Sequence, residues 1–417
     1  MSDFFHNSTT FMLIPQEAES IILALVQPLQ ETETIALASV NNRILAQTVT
    51  SKLDFPYWDN SAMDGYAVKY DDVQNCSQET PIILEIIEEI SAGKKPQKVL
   101  QSGQASRIFT GAMLPDGADT IIIQENTQRL EQQVLIFSPP KPQDFVRHRG
   151  TFTKAGQCLL QPGIKINAPE IAVLATAQLL QLTVYRRPKV AIFSTGDELI
   201  TPEQTLQPGQ IIDSNQYALM ALIESWGGIP ISLGIIPDQP ELLKETMREA
   251  IAEADLVLST GGVSVGDYDY VEQLLEELGG MIHIRSVAIK PGKPLTVANF
   301  ANNCLYFGIP GNPVSALVSC WRFVQPVFKK LSGLRNNWRP NFIKVPTTEI
   351  LRSDGKRETY CWGQLELING SYQFHLAKGS QNSANLINLA LTNALAVIPI
   401  GTSLINAGEI VEVMLLG

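Results

Sequence analysis

Two short segments place carboxylates beside glycines, a combination that could hold a divalent cation next to a bound phosphate. Residues 194–199 (STGDEL) put Glu198 two positions after a glycine, where it could ligate a cation or simply belong to a turn. Residues 260–270 (TGGVSVGDYDY) contain three glycines, whose backbone amides can approach an anion closely, and two aspartates, Asp267 and Asp269. We therefore predict Glu198, Asp267 and Asp269 as metal ligands.

Two further segments are suited to binding an anion. The sequence KPGKP holds Lys290 and Lys293 on a loop that its prolines stiffen, although most loop lysines are merely solvated. Residues 309–315 (IPGNPVS) predict the start of a helix, because Pro313 suits its first turn. The free backbone amides of that turn and the hydroxyl of Ser315 could receive an oxyanion.

All four segments lie among short apolar runs that alternate with helical patterns. This alternation predicts a doubly wound α/β sheet, in which ligands bind beyond the carboxyl ends of the strands. The predicted strands are residues 189–193, 230–236, 256–259, 282–288, 295–298 and 305–308, and the predicted helices are 214–225, 240–252, 270–277 and 313–330.

The rest of the chain predicts smaller modules on either side of this α/β segment. Amphipathic spacing predicts a helix over residues 15–29, and further helices are expected near 39–48 and 169–178. Short β-rich runs separated by Gly, Pro and Asp turns fill the stretch from residue 52 to about 144, and the pattern becomes β-rich again from 338 onward.

Composition narrows the class of protein. The 417 residues are 45% hydrophobic and 18% charged, which is typical of globular domains, and the net charge of −11 argues against nucleic acid as a main partner. Five scattered cysteines without a CxxC pair favour reduced thiols in the cytoplasm. No signal peptide or membrane span is predicted, and no membrane partner is expected. The four histidines lie outside the four segments and no GxSxG occurs, so covalent catalysis is not expected.

The four segments, together with SAMDGYAV (61–68) and RIFTGA (107–112), resemble the molybdopterin molybdenumtransferase family over nearly the whole chain. The resemblance implies a multidomain α/β and β fold, with a doubly wound domain like those that bind molybdopterin and a barrel-like C-terminal β-domain. The implied domains are a discontinuous linker and dimerisation domain (1–50 and 151–183), an inserted β-rich domain (51–150), the α/β domain (184–331) and the C-terminal β-domain (332–417).

The resemblance also implies roles for single residues. The residues implied to be catalytic are Asp64, Thr110, Glu198, Asp238, Asp269, Lys290 and Lys293. The residues implied to bind the pterin, nucleotide or oxyanion are Asp213, Ser214, Asn215, Gly261, Gly262, Ser264, Gly266, Pro310, Gly311, Asn312, Pro313, Ser315 and Arg357.

The implied reaction inserts molybdate into adenylylated molybdopterin and releases AMP, with Mg²⁺ promoting cleavage of the phosphoanhydride. Members are homodimers whose active-site cleft is shared between subunits. The molybdopterin adenylyltransferase, which makes the substrate, is a further expected partner.

Two departures from the family pattern stand out. Many members carry a basic residue four positions before the first lysine of KPGKP, whereas this chain has Ser286 there and Arg285 beside it. Many members also carry an Arg-rich segment near a glycine turn of the terminal domain, where this chain offers only Arg357 as a match.

Three alternatives stay open from the sequence. An adenylyltransferase shares the α/β domain and the TGG loop but is a short single-domain protein. A scaffold protein would have no use for the full set of acidic and basic loop residues. Tungstate resembles molybdate so closely in size and charge that the residues do not distinguish the two oxyanions.

Overall fold

The computed structural model describes residues 12–262 and 270–416. Eight α-helices lie in these residues, and none of them is long and apolar enough to cross a membrane. They are α1 (Pro15–Leu25), α2 (Tyr70–Val73), α3 (Ala168–Thr176), α4 (Asn215–Trp226), α5 (Pro240–Glu253), α6 (Val271–Glu277), α7 (Pro313–Ser319) and α8 (Gln325–Leu331).

The strands of the described residues are short, and most have two to nine residues. In chain order they are β1 (Thr32–Ala36), β2 (Val49–Thr50), β3 (Asn60–Ser61), β4 (Gly65–Val68), β5 (Ile82–Ile90), β6 (Gln104–Ile108), β7 (Thr120–Ile123), β8 (Thr127–Leu130), β9 (Gln133–Ile136), β10 (Val146–Arg147), β11 (Cys158–Leu160), β12 (Gln181–Tyr185), β13 (Lys189–Thr195), β14 (Leu199–Ile200), β15 (Ile211–Ile212), β16 (Ile229–Ile236), β17 (Leu256–Thr260), β18 (Met281–Ser286), β19 (Ile289–Lys290), β20 (Pro294–Asn299), β21 (Leu305–Ile309), β22 (Phe342–Pro346), β23 (Leu351–Arg352), β24 (Glu358–Ile368), β25 (Ser371–Leu376), β26 (Ala394–Ile398), β27 (Leu404–Ile405) and β28 (Ile410–Leu415).

The chain forms two compact units. The first comprises residues up to 47, 162–168 and 181 onward, and the second comprises residues 48–161 and 169–180. The central sheet of the first unit has the strand order β16-β13-β17-β21-β20-β18. Strands β16, β13, β17 and β21 run parallel, whereas β20 is antiparallel to β21 and β18 is antiparallel to β20.

Helices cover both faces of this sheet, as the alternation of side chains along β13 shows. Val190 and Ile192 belong to a core that includes residues of α1, α4, α7 and α8. Ala191 and Phe193 point to the other face, into a core built with α5 and α6. Successive side chains of a strand point to opposite faces, so a wholly apolar strand needs a cover on each side. The predicted doubly wound fold is confirmed.

A second sheet of the first unit contains the C-terminal strands. Its order is β19-β24-β26-β28-β22, with β25 paired to β24. Its pairings are antiparallel except for that of β19, which runs parallel to β24 with Ile289 opposite Glu358 and Lys290 opposite Thr359. This pairing joins the lysine-containing loop of the α/β segment to the C-terminal β-domain.

The second unit is built on the sheet β7-β4-β6-β5-β9-β8, in which β5 and β6 are parallel and the other pairs antiparallel. Its core contains Tyr66, Leu84, Ile122 and Val134, which come from four different strands. Strand β4 is the GYAV part of the SAMDGYAV motif, and it lies between β6 and β7.

The predicted helix at residues 39–48 is wrong. Only a 3₁₀ turn forms, at Leu37–Ser39, and the following residues are irregular. The backbone amide of Leu45 donates to Ile164 and that of Ala46 donates to Thr183, so pairing with distant segments replaces the helical hydrogen bonds. Local sequence could not reveal these partners.

Two predicted helices are also interrupted or shortened. Helix α1 ends at Leu25 rather than at residue 29, because Pro28 disfavours the helical conformation of the residue before it. The predicted helix over 313–330 contains a π-helical segment at Cys320–Val324, which joins α7 to α8. The predicted strand 282–288 is shorter than expected: β18 ends at Ser286, and the next strand, β19, begins only at Ile289.

Candidate active site

The four motif segments of the α/β region meet at one edge of the central sheet. Three of them follow the parallel neighbours β13, β17 and β21, whose carboxyl ends lie side by side. The lysine loop precedes β20, which runs antiparallel to β21, so the start of β20 lies at the same edge. The topology thus brings together carboxylates and lysines that are up to about a hundred residues apart in the chain.

The start of the TGG segment lies in close contact with the loop after β13. Gly261 has φ of +89°, and a Cβ atom placed there would lie 2.4 Å from the backbone oxygen of Thr195. Gly262 also has a positive φ. The segment beyond it lies outside the described residues, which covers four of the predicted site residues: Ser264, Gly266, Asp267 and Asp269.

Gly261→Ala is expected to destabilise the protein, because the new methyl group would meet a backbone atom in a strained conformation. Gly209→Ala is the matched control: its φ is +91°, but apart from its two chain neighbours no atom of the described residues lies within 4 Å of the new Cβ. Each substitution should lower the free energy of unfolding by about 1–2 kcal/mol, because alanine disfavours the left-handed backbone conformation. Gly261→Ala should cost at least about 1 kcal/mol more than the control, from overpacking. Equal free energies of unfolding in urea would contradict the close approach.

A cleft of about 740 Å³ lies beside the lysine loop. Its walls include residues of the lysine loop, of the loop after β21 and of the C-terminal β-domain. The lining residues predicted from the sequence are Lys290, Lys293, Pro310, Asn312, Ser315 and Arg357. This volume is within the range of small-molecule sites.

Lys290 and Arg357 meet at a shared carboxylate. Lys290 Nζ lies 3.4 Å and Arg357 Nη2 lies 3.6 Å from Asp354 Oδ2. The pKa of Asp354 is lowered, first by the backbone amide of Lys356 and then by Lys290. The pairing of β19 with β24 brings these residues together. Because two cations share one described carboxylate, the group has a net positive charge that would attract an anion.

A second cavity, of about 570 Å³, shares Asn312 with the first. It is lined by Glu198, by the start of the TGG segment and by residues 213–215. The Glu198 carboxylate lies over Gly196, where an added Cβ would come within 2.6 Å of its Oε2. Glu198 is exposed, and its cavity adjoins the cleft that contains the lysines.

Two of the residues predicted to contact the nucleotide, Asp213 and Asn215, form hydrogen bonds that position α4 at this edge of the sheet. Asp213 is buried, and its Oδ1 accepts from the backbone amides of Asn215 (3.0 Å) and Gln216 (3.3 Å), so it stabilises the start of α4. Asn215 Nδ2 donates to the Gly311 oxygen at 2.8 Å. This bond joins α4 to the loop after β21.

Asp238 holds the loop after β13 rather than standing free. Its Oδ1 accepts a hydrogen bond of 2.5 Å from the Thr195 hydroxyl, and its backbone amide donates to Asp197 Oδ1 at 3.1 Å. Asp238 follows β16, the neighbour of β13, so these bonds link two strand ends at the same edge. Through these contacts Asp238 positions the loop that contains Glu198.

Many family members have a basic residue at the position of Ser286, and the neighbouring Arg285 does not take its place in the cleft. Arg285 forms ion pairs with Glu272 and Glu276, both on α6. Its guanidinium therefore points to that helix, and it does not line the cleft that contains Lys290. The cations lining that cleft are Lys290, Lys293, Arg352 and Arg357 among the described residues.

Asp64 and Thr110 lie in the second unit and contact each other. The backbone amide and the hydroxyl of Thr110 both donate to Asp64 Oδ1, each at 2.7 Å. These bonds, first the amide and then the hydroxyl, hold the pKa of Asp64 below its ordinary value, and the charge of Arg107 adds to the effect. The motifs SAMDGYAV and RIFTGA thus form one small site with an ionised carboxylate.

Sequence reasoning missed the part of the cleft that comes from the C-terminal β-domain. Residues 380–383 (SQNS), Thr359 and Arg352 line it. The polar run SQNS, between β25 and β26, was a signal for a binding loop. Its position beside the lysines depends on sheet pairing that the sequence does not display.

Within the described ranges 12–262 and 270–416, no three His, Cys, Asp or Glu side chains cluster as metal ligands. Mg²⁺ commonly binds through one or two carboxylates together with substrate phosphates. The exposed Glu198 at the strand edge fits such an arrangement.

Models of known protein families match three successive stretches of the chain. The MoeA N-terminal region (domain I and II) matches residues 13–177, the probable molybdopterin binding domain matches 191–330, and the MoeA C-terminal region (domain IV) matches 344–416. A crystal structure of the molybdopterin biosynthesis MoeA protein from Pyrococcus horikoshii superposes with a TM-score of 0.83 at 27% identity, covering 97% of this chain and all of that one.

Curated relatives share the sequence over most of its length. The molybdopterin molybdenumtransferase of Nostoc sp. is 56% identical over 404 residues, which cover 96% of this chain and 93% of that protein. The protein of the same name from Haemophilus influenzae is 36% identical over 83% of this chain and 84% of its own. The chain therefore belongs to the molybdopterin molybdenumtransferase family.

Proposed function

We propose that this protein inserts molybdate into adenylylated molybdopterin, releases AMP and so forms the molybdenum cofactor. The observation that carries the proposal is the convergence of Lys290, Lys293 and Arg357 on one cleft that adjoins the cavity containing Glu198. Cations suit the molybdate oxyanion and the substrate phosphates, and preorganised charges of this kind stabilise a phosphoanhydride as it breaks. The name shared by the curated relatives supports the same activity.

Basic side chains bind the oxyanion in this proposal, and polar side chains position the loops around the substrate. Lys290, Lys293 and Arg357 hold the oxyanion, and Ser315, in the first turn of α7, contributes its hydroxyl and backbone amide. Asp213 and Asn215 keep α4 and the loop after β21 in place around the pterin or nucleotide. Water cleaves the phosphoanhydride and AMP leaves, while the two dithiolene sulfurs replace two oxygens of molybdate, which take up protons and leave as water.

Magnesium belongs to this proposal as the cation that neutralises the phosphoanhydride. Glu198 is the ligand within the described residues, and Asp267 and Asp269 are proposed as further ligands from their positions in the motif. The substrate phosphates would supply other oxygen ligands. Tungstate is an alternative oxyanion, because its charge and size suit the same cations.

The decisive experiment incubates the purified protein with adenylylated molybdopterin, molybdate and Mg²⁺ and follows AMP release and pterin-bound molybdenum. Molybdate-dependent AMP release with the metal retained on the pterin is the expected result. In a parallel assay with ATP and unmodified molybdopterin, transfer of AMP to the pterin would identify an adenylyltransferase instead. Tight pterin binding without cleavage would identify a carrier, and both results would reject the proposal.

We further propose a cytoplasmic homodimer in which Asp64 of one subunit serves the site of its partner, with the adenylyltransferase as the donor of substrate. A mixture of Asp64→Ala and Lys290→Ala chains is then expected to recover activity that neither variant has alone. With random exchange half of the dimers are mixed and each has one intact site, so about a quarter of wild-type activity returns. Size-exclusion chromatography checks the dimer, and no recovery in verified mixed dimers would place both residues at one subunit's site.

A further inference from the structure

A third cavity lies at the opposite edge of the central sheet from the candidate active site. Pro188 precedes β13 and Gly227 precedes β16, and both line this cavity of about 280 Å³. It therefore lies at the amino ends of strands whose carboxyl ends point to the lysine cleft. The seven residues of β13 separate the two edges by about 20 Å.

Basic side chains are concentrated around this cavity, although the chain has a net charge of −11. Five of its lining residues are cationic: Arg43, Lys165, Arg186, Arg187 and Lys329. Among the residues that the structure describes, no aspartate or glutamate lines it. In an acidic protein, such a local excess of positive charge favours an anionic ligand.

Carboxylates outside the cavity neutralise two of these cations. Arg186 donates to both oxygens of Asp255, at 2.7 and 2.8 Å. Arg43 is buried, pairs with Glu33 and donates to the Tyr185 oxygen at 2.8 Å. These two arginines are therefore already hydrogen-bonded and form part of the wall.

The two lysines differ from the arginines in this respect. Neither Lys165 nor Lys329 forms an ion pair within residues 12–262 and 270–416. Both lysines line the same cavity, and the pKa of Lys329 is lowered, first by burial and then by the charge of Lys165. An anion between them would relieve that repulsion.

The remaining wall is aromatic and comes from Tyr185, Trp226 and Phe328. The rings of Trp226 and Phe328 are 5.8 Å apart, and Phe328 is buried. Small-molecule sites combine an apolar wall with a few placed polar groups in this way. The cavity volume corresponds to about nine water molecules, which is more than a bare phosphate requires.

We propose that this cavity is a second anion site that binds a small phosphate monoester, with the phosphate between Lys165 and Lys329 and the organic part against the aromatic wall. The site is separate from the reaction, since its residues lie at the other edge of the sheet. A phosphate dianion matches the two unpaired ammonium groups in charge.

The first test uses ribose 5-phosphate as the probe and reads out amine labelling by mass spectrometry. Ribose 5-phosphate is expected to protect Lys165 and Lys329 from acylation while the exposed Lys344 reacts unchanged. Ribose in sodium chloride of matched ionic strength should protect neither lysine. Equal labelling with and without the phosphate ester, or equal protection by the chloride control, would overturn the proposal.

The second test measures affinity by calorimetry in a Lys290→Ala background, which suppresses binding in the lysine cleft. Lys165→Gln combined with Lys329→Gln should weaken ribose 5-phosphate binding by at least about tenfold, because two charged hydrogen bonds are lost. Lys344→Gln is the matched control and should change nothing. In the wild-type background the double variant should keep its AMP release, and unchanged affinity in the double variant would refute the site.

Discussion

Replacing Lys290 by alanine is expected to lower molybdate-dependent AMP release by about 10²–10³-fold, the usual loss when one preorganised charge-stabilising donor is removed. Lys290 lines the cleft, and its ammonium group lies 3.4 Å from Asp354. Without it, Asp354 would retain Arg357 as its one counter-ion from the cleft among the described residues, and the cleft would become less positive. Both changes weaken oxyanion binding.

Lys344→Ala is the matched control for this experiment. Lys344 is exposed on β22 of the same unit and does not line the cleft. Its removal should leave AMP release within twofold of wild type, as is usual for a solvated surface charge. Molybdate titration should show the Lys290→Ala defect in affinity as well as in rate. Wild-type affinity and rate in that variant would exclude Lys290 from the proposed site.

Arg322→Ala is expected to destabilise the protein by about 3–5 kcal/mol, because it leaves buried partners without their counter-ion. Arg322 and Glu19 are 3% and 7% exposed, and Nη1 of the arginine lies 2.7 Å from Oε1 of the glutamate. Arg322 Nε also donates to the Tyr360 hydroxyl at 2.9 Å, and that hydroxyl donates to Glu358 at 2.5 Å. The network joins α1, the π-helical segment and β24.

Arg248→Ala provides the comparison at the surface. Arg248 pairs with Glu245 on α5, and the two side chains are about half exposed (52% and 56%). Surface pairs contribute about 0–1 kcal/mol, so this variant should unfold at nearly the wild-type urea concentration. Replacing Arg322 and Glu19 together by methionine should recover part of the loss, since no buried charge then stays unpaired. A loss of less than about 1 kcal/mol for Arg322→Ala would show that water reaches the network.

The sequence by itself determined the class of fold and the segments that contain the chemistry. Apolar strands at β13, β17 and β21 predicted a sheet covered on both faces, because a strand without polar positions cannot face water. The glycines and carboxylates after these strands, together with the KPGKP loop, predicted where a ligand would bind. Strand ends of a parallel sheet necessarily meet at one edge, so this inference needed no coordinates.

Only the tertiary structure decided which other residues join that edge. The parallel pairing of β19 with β24 brings Arg357, Asp354 and residues 380–383 to Lys290, and pairing between distant strands leaves no local pattern in the sequence. For the same reason the predicted helix at 39–48 was wrong, since its backbone bonds instead with residues 164 and 183. Local propensity determines what a segment can form alone, whereas hydrogen bonds and burial between distant segments decide what it forms in the folded chain.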